Sequence, residues 1–316
     1  MEPLRIARWK NDAKSAVSLY YDDGTDSAFE IAVPALLRRR IPGTFYLCCG
    51  WFKGPDDPKL ARWTICRDHP EIVLGNHTWG HCGVQNASDL ADELRRNAEA
   101  LRAITGLSPD ALVSFGVPGG VPWNVSPDEQ AALLAAGNLV LRRRYAPENT
   151  GGPAGSHKDV RMNAFADAVA VLDRAEADGG WEPLLFHGVG GDWIAFPAAD
   201  HERLLAEIDR RRAEGRVWPG AAVAVHEYAA ERDAAELRPL PAPDGAFAAA
   251  ELAFGTDPAR YVEPLTLVAD VPADRDVVRV ETAGAPARRV PVVGGRAVFD
   301  VPPAAGPVAV AVRDAG

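Results

Sequence analysis

Residues 16–24 read AVSLYYDDG, a run of mostly apolar side chains that ends at two aspartates and a glycine. A short apolar run bounded by a turn signal is typical of a strand that is buried on both faces, as in a parallel sheet. The segment Asp22-Asp23-Gly24 then has two interpretations. It is an ordinary turn, which favours Asp and Gly, or it places two carboxylates at a strand end, where β/α barrels carry their catalytic groups.

Strand and helix patterns alternate outward from this segment as far as about residue 235. Further predicted strands cover 43–49, 71–77, 111–115, 138–142 and 182–189, and predicted helices cover 27–40, 88–104, 127–136, 163–177 and 200–215. Pro34 interrupts the first of these helices, which indicates a kink or a late helix start. Regular alternation of this kind predicts an α/β fold with a mostly parallel sheet or a (β/α) barrel.

The pattern changes near the C-terminus. Residues 239–262 are rich in Pro, Ala and Gly and are interpreted as a linker. Residues 263–316 contain short β-branched runs separated by turn residues, which predicts a small antiparallel, β-sandwich-like module. The sequence therefore predicts a barrel domain over 1–238, a linker and a C-terminal β module. Glycan binding, coverage of one barrel end and dimerisation all remain open as roles for that module.

Composition limits the classes of function. The chain has 316 residues, 47% apolar and 25% charged, with a formal net charge of −10. Such a charge argues against nucleic acid or an anionic membrane as the main partner. No stretch approaches the roughly 20 apolar residues of a membrane span, and no signal peptide is visible, so we expect a cytoplasmic protein. The oligomeric state is open, a homodimer included.

The four cysteines match neither a disulfide framework nor a zinc ribbon. Cys48 and Cys49 are adjacent within an apolar segment and are expected to be buried, reduced thiols. Cys82 directly follows a histidine and is a conceivable soft metal ligand. Oxygen and imidazole ligands elsewhere make such a role unnecessary.

Histidines follow two other predicted strands. His77 and His81 lie four residues apart in GNHTWGH, so a helical turn or a tight loop puts both imidazoles on one side. Such a pair is a common half-site for zinc or a related divalent ion, completed by a carboxylate from elsewhere. His187 ends the apolar run LLFH. The alternatives are a chance histidine pair and a structural histidine at a strand end.

Taken in order, these segments resemble the polysaccharide deacetylase family, also called the NodB-homology family. Its first motif, T-F-D-D-G, corresponds to YYDDG at 20–24, and its second, H-[ST]-x-x-H, corresponds to HTWGH at 77–81. Its last motif, an apolar strand that ends in histidine, corresponds to LLFH at 184–187. The resemblance covers about residues 14–235.

The resemblance implies a distorted (β/α) barrel and a role for each motif residue. The metal ligands would be Asp23, His77 and His81, the general base Asp22 and the general acid His187. The implied cofactor is a divalent metal, with Zn first and Co, Ni or Mn as alternatives. The implied partner is an acetylated carbohydrate substrate.

Two elements depart from the family pattern. The third motif, R-x-P, has an arginine that pairs with the base, and Gly116 stands at that position, two residues before Pro118. The candidates to replace that arginine are Arg142, Arg143 and Arg144, and the alternative is that they form a solvated basic run. The family's Asp–Trp element, which tunes the acid histidine, has no clear equivalent. Asp159 is a weak candidate, and Asp192-Trp193 follows His187 instead of preceding it.

Substrate contacts are predicted from the same loops. The backbone N–H of Gly119 is a candidate oxyanion donor. Trp79 and Trp123 are candidates to stack on a sugar ring, together with Tyr20 and Trp193. Each of these aromatic residues has the alternative interpretation of a core side chain.

The sequence leaves three functions open. The first is a metal-dependent hydrolase that removes acetyl groups from a carbohydrate, N-acetyl before O-acetyl, with an O-acetyl sugar esterase as the alternative. The second is a non-catalytic carbohydrate-binding protein on the same fold, which the missing arginine motivates. The third is a metal-independent amide hydrolase, against which the complete set Asp23, His77 and His81 argues.

Overall fold

The structure is a computed structural model that describes residues 4–143, 164–243 and 245–315. Contacts divide the chain into two compact units, Ala16–Val225 and a second unit made of Met1–Ser15 with His226–Gly316. The α-helices within the described ranges are α1 (Val33–Arg39), α2 (Pro58–Ala61), α3 (Ala87–Thr105), α4 (Pro127–Ala136), α5 (Phe165–Asp178), α6 (Ala198–Ala213) and α7 (Ala222–Ala234). None of the described helices has the length and apolar character that crossing a membrane requires.

The strands fall into two sheets, one in each unit. Their bounds are β1 (Leu4–Ile6), β2 (Ser15–Asp22), β3 (Gly43–Leu47), β4 (Ile72–Asn76), β5 (Val113–Phe115), β6 (Leu139–Leu141), β7 (Trp181–Phe186), β8 (Val217–Pro219), β9 (Glu236–Pro239), β10 (Ala246–Ala253), β11 (Leu265–Asp270), β12 (Val277–Thr282), β13 (Arg288–Val293), β14 (Arg296–Val301) and β15 (Val308–Asp314).

The unit Ala16–Val225 is built on a parallel sheet. Its strand order is β6-β5-β4-β3-β2-β7, and β8 also pairs with β2. All eight residues of β2 are buried, as is typical of a central strand in a parallel sheet that is covered on both faces. Parallel pairing places the C-terminal ends of these strands at one edge of the sheet.

Local sequence explains where the helices of this unit begin. The helical segment begins at residue 26, and its π-helical turn at Ala28–Ala32 runs directly into α1, with Pro34 next to the junction. The segment 27–40 is therefore helical from its beginning, so the expected late start is wrong, and the irregularity next to Pro34 is a change from π-helical to α-helical backbone. Asn86 caps α3 by accepting a hydrogen bond from the backbone of Asp89, and Ser126 begins α4 with a capping box.

The second unit holds an antiparallel sheet. Its eight strands follow the order β1-β11-β14-β13-β12-β15-β10-β9. The N-terminal strand takes part, since Leu4 pairs with Ala269 of β11. The predicted fold class, a distorted (β/α) barrel with a separate antiparallel β module, is confirmed.

The boundaries of the second unit differ from the sequence-based division. Residues 239–262, interpreted as a linker, contain β10, whose Ala250 pairs with Val310 of β15. The unit also takes in β1 and β9, in place of residues 263–316 alone. The alanine-rich sequence of β10 has low intrinsic β-propensity, so only its pairing with strands distant in sequence reveals it as a strand.

Candidate metal centre and active site

The site begins where three parallel strands end. Asp22 is the last residue of β2, while His77 and His187 directly follow β4 and β7. The turn after β2 is tight: Asp23 has a φ of 71° and Gly24 a φ of 58°. A Cβ at Gly24 would lie 2.6 Å from Cδ2 of Leu47, so a larger residue there would strain the backbone and displace the Leu47 side chain.

Three side chains converge beside this turn. Oδ1 of Asp23 lies 3.4 Å from Nε2 of His77 and 3.6 Å from Nε2 of His81. Ligand atoms from all three residues lie within 4.8 Å of one another. The Oδ1 atom is buried and has no hydrogen-bond partner. A buried, unpaired carboxylate oxygen between two imidazole nitrogens is an arrangement that a divalent cation satisfies.

Neighbouring groups hold these ligands in position. Nδ1 of His77 lies 2.7 Å from the carbonyl oxygen of Gly116, so it carries the proton and leaves Nε2 free to bind a metal. The indole N–H of Trp193 donates to Oδ2 of Asp23 at 2.7 Å. Thr78 and His81 both adopt positive φ, 63° and 54°. The second motif is therefore a constrained loop, which is one of the two arrangements predicted for it.

The carboxyl groups of the turn carry negative charge. Burial alone would raise the pKa of Asp22, but the guanidinium of Arg142, together with the nearby His77, outweighs it and leaves the pKa well below the usual value. Burial likewise acts to raise the pKa of Asp23, and the neighbouring imidazole of His77 lowers it overall. Cys82, the conceivable soft ligand, is exposed and donates from Sγ to the carbonyl oxygen of Gly80.

Arg142 supplies the cation that Gly116 lacks. It follows β6, is buried, and donates from Nη2 to Oδ2 of Asp22 at 2.8 Å and from Nη1 to Oδ1. Arg143 is exposed and lies over the ring of Trp181 at 5.8 Å. Arg144 lies outside the described residues. The interpretation of this segment as an entirely solvated basic run is therefore wrong at Arg142.

His187 lies close to Asp23 of the same turn. Its Nε2 is 3.9 Å from Oδ2 of Asp23, and burial lowers the pKa of the imidazole. Asp192, considered as its tuning partner, accepts a hydrogen bond from the backbone of Ser27 at 2.7 Å and fixes the loop instead. Asp159 lies outside the described residues.

The sequence matches one known family in this region. The polysaccharide deacetylase family model matches residues 10–134, which include Asp22, Asp23, His77 and His81. This part of the chain belongs to the polysaccharide deacetylase family. No curated protein matches the chain.

Solved structures of deacetylase-family proteins are also similar. A family 4 carbohydrate esterase from Streptomyces lividans has 17% identity and a TM-score of 0.45, over 66% of this chain and 93% of that one. The peptidoglycan deacetylase PdaC from Bacillus subtilis has 14% identity and a TM-score of 0.44, over 67% and 90%. A family 4 pseudoenzyme from Bacillus anthracis has 15% identity and a TM-score of 0.42, over 69% and 67%. Likenesses of this degree say nothing about the substrate.

The residues predicted to contact the substrate lie in different surroundings. Trp123 is buried, stacks on Phe115 and donates its indole N–H to Gln130 at 2.9 Å, so it is a core side chain. Tyr20 is likewise buried. Half-buried Trp79 has the guanidinium of Arg96 over its ring at 4.6 Å.

Gly119 is half-buried in the loop after β5. Whether its N–H faces a developing oxyanion stays a prediction. The position of this loop agrees with that role, because Gly116 at its start already contacts His77.

Sequence reasoning missed Trp51 and gave Trp193 only a minor place. Trp51 is 46% exposed and Trp193 is 47% exposed, with ring centroids 6.3 Å apart. The ring of Trp51 also lies 5.6 Å from that of His81, and its indole N–H donates to Gly80. Its position just after β3, at the same sheet edge as the aspartates, was the available signal.

Proposed function

We propose that the unit Ala16–Val225 is a divalent-metal-dependent hydrolase that removes N-acetyl groups from a carbohydrate. Membership of the polysaccharide deacetylase family supports carbohydrate deacetylation as its activity. The site supports the metal dependence and the assignment of chemical roles.

One observation carries the metal assignment, namely the buried Oδ1 of Asp23 directed toward the two Nε2 atoms of His77 and His81. A carboxylate and two imidazoles form a donor set that suits Zn²⁺, with Co²⁺, Ni²⁺ and Mn²⁺ as alternatives. A divalent cation, when bound, polarises a carbonyl group and makes a water molecule more acidic.

Asp22 is assigned as the general base. Its carboxylate lies beside the ligand cluster, with Oδ2 3.7 Å from Nε2 of His77, yet it does not belong to the three-residue ligand set. The bidentate ion pair with Arg142 holds the carboxylate charged and in one orientation. A carboxylate fixed in this way accepts the proton of a water molecule that attacks the acetyl carbonyl.

His187 is assigned as the general acid. Its Nε2 lies 3.9 Å from Oδ2 of Asp23, so it flanks the ligand cluster. An amine cannot leave as an anion, so cleavage of an amide requires a proton donor at the departing nitrogen. An alkoxide is a better leaving group and needs this donor less. The presence of His187 therefore favours an N-acetyl substrate, with O-acetyl sugars as the alternative.

The rim of the site favours a carbohydrate. Trp51 and Trp193 expose indole faces beside the metal cluster, and their N–H groups are held by Gly80 and Asp23. Rigid, exposed aromatic faces suit the apolar C–H face of a sugar ring. In this proposal the two tryptophans contact the sugar and Gly119 offers its N–H to the developing oxyanion.

The test is acetate release from acetylated chito-oligosaccharides and from acetylxylan. The protein is stripped with a chelator and reloaded with Zn²⁺, Co²⁺, Ni²⁺ or Mn²⁺ in separate reactions. We expect release from the chito-oligosaccharides that disappears with the chelator and returns with metal. Release from acetylxylan alone would make the protein an O-acetyl esterase.

The rival functions give different results in the same assay. A non-catalytic carbohydrate-binding protein would bind an acetylated sugar without releasing acetate under any metal condition. A metal-independent hydrolase would keep full activity after the chelator. The buried pairing of Arg142 with Asp22 argues against the non-catalytic alternative, because it fills the place of the cation whose absence motivated that alternative.

A further inference from the structure

The guanidinium of Arg142 is buried where the strands β5 and β6 end. The backbone N–H of Arg142 donates to the carbonyl oxygen of Phe115 at 2.9 Å, which fixes the end of β6 against the end of β5. The guanidinium carbon lies 4.4 Å from the centre of the Tyr46 ring and 5.5 Å from that of Tyr20. Two aromatic faces and one carboxylate therefore surround a fully charged group.

Gly116 packs against the same guanidinium. A Cβ at residue 116 would lie 2.7 Å from Cζ of Arg142, 2.8 Å from Nη1 and 2.9 Å from Nε. All three atoms belong to the planar guanidinium, which the ion pair with Asp22 prevents from moving away. Arg142 can therefore reach Asp22 only because residue 116 has no side chain.

We propose that Arg142 is the positioning residue for the base Asp22 and that Gly116 is required to make room for it. One guanidinium can approach Asp22 from residue 116, as in the family motif, or from residue 142, but not from both. The catalytic part of this inference rests on the proposed function, whereas the pairing itself does not.

Arg142 fixes the orientation of the Asp22 carboxylate as well as its charge. Asp22 is buried, and a buried carboxylate without a partner is strongly disfavoured. Two parallel N–H donors fix the plane of the carboxylate, which a single lysine ammonium does not do. His77, another basic group near Asp22, has its Nε2 directed toward Asp23 as well and does not take over this role.

The first activity test removes the guanidinium of residue 142 from the full chain. Arg142→Gln is expected to lower kcat for acetate release by at least about a hundredfold, with little change in KM and unchanged zinc content. Arg143→Gln is the matched control, because that neighbouring side chain is exposed, and it should keep wild-type kcat. An Arg142→Gln variant with wild-type kcat would overturn the proposal.

The exchange then asks whether either position can supply the guanidinium. Gly116→Arg alone puts a second guanidinium into the buried position that Arg142 already occupies. We expect this variant to have lower activity and a lower melting temperature than the wild type. The double variant Gly116→Arg/Arg142→Gly is expected to regain at least about tenfold over Arg142→Gly alone. If the double variant is no more active in acetate release than Arg142→Gly, Gly116 does not have the proposed role.

A second measurement does not depend on deacetylation. Thermal unfolding of metal-free Asp22→Asn, Arg142→Gln and the double variant forms a double-mutant cycle. Each single variant leaves one buried partner without its counterpart and should lower Tm by about 10 °C, while the double variant should lose clearly less than the sum. Additive losses would contradict the pairing. A wild-type protein that releases no acetate would reject the proposed function and leave this cycle to decide the pairing.

Discussion

The indole N–H of Trp193 donates to Oδ2 of Asp23 at 2.7 Å, while Oδ1 of the same carboxylate is buried without a hydrogen-bond partner. The two oxygens of one side chain are thereby distinguished. Trp193 holds the first oxygen, and the second is left directed toward His77 and His81. A group that orients a ligand in this way contributes to metal affinity without touching the metal.

Trp193→Phe keeps an aromatic ring and removes this N–H donor. We expect zinc affinity to fall by about tenfold to a hundredfold, because loss of an orienting partner has effects of that size. Competition with a chromophoric chelator measures the affinity. Trp123→Phe is the control, since the indole N–H of Trp123 donates to Gln130 in the core, and equal losses in both variants would contradict the role of Trp193.

His81→Ala removes one imidazole from the cluster. Burial first, and then the neighbouring His77, lower the pKa of His81, which favours the neutral form that binds metals. We expect retained zinc to fall from stoichiometric to background, measured by elemental analysis after dialysis. His69→Ala, a histidine outside the cluster, should retain zinc as the wild type does. Unchanged zinc in His81→Ala would exclude His81 from the ligand set.

Asp22→Asn removes the base and keeps the size of the side chain. We expect zinc to be retained and kcat for acetate release to fall by about 10²–10⁴-fold, as for loss of a positioned base. The matched control is Asp26→Asn, which lies four residues away and pairs with Lys59 and Arg62 on the surface side of the same segment. Near wild-type turnover in Asp22→Asn would mean that another group accepts the proton.

His201 makes the stability of the barrel domain depend on pH. It is buried against the hydroxyl of Tyr21 at 2.7 Å, and burial lowers its pKa to about 4. The unfolded chain binds a proton at this residue below about pH 6.5, whereas the folded chain does so only near pH 4, so stability falls as pH decreases between these values. The total loss from this residue is about 3 kcal/mol.

Urea unfolding of metal-free protein at pH 7 and pH 5 tests this prediction. Between these two values the wild type should lose about 2 kcal/mol more than His201→Gln, which has no titrating imidazole. The difference between the two proteins isolates His201 from the carboxylates that also begin to titrate. Equal pH dependence in the two proteins would show that His201 does not control this part of the profile.

The sequence alone determined which residues stand at strand ends. The apolar runs before Asp22 and His187 predicted buried strands, and all residues of β2 and β7 are buried. Parallel strands that end at one edge bring their following residues together whatever their distance in sequence. For that reason the cluster of Asp23, His77 and His81 could be predicted without knowing the strand order.

Only the tertiary structure decided which groups surround that cluster. Arg142 is 120 residues from Asp22, and three arginines in a row gave no sign of which one turns inward until β6 was placed beside β5. The roles of Trp123 and Trp193 likewise depended on packing, since one indole lies in the core and the other at the rim. Periodicity reports which face of a strand is buried, whereas these contacts follow from strand order and loop conformation, which residues distant in sequence determine together.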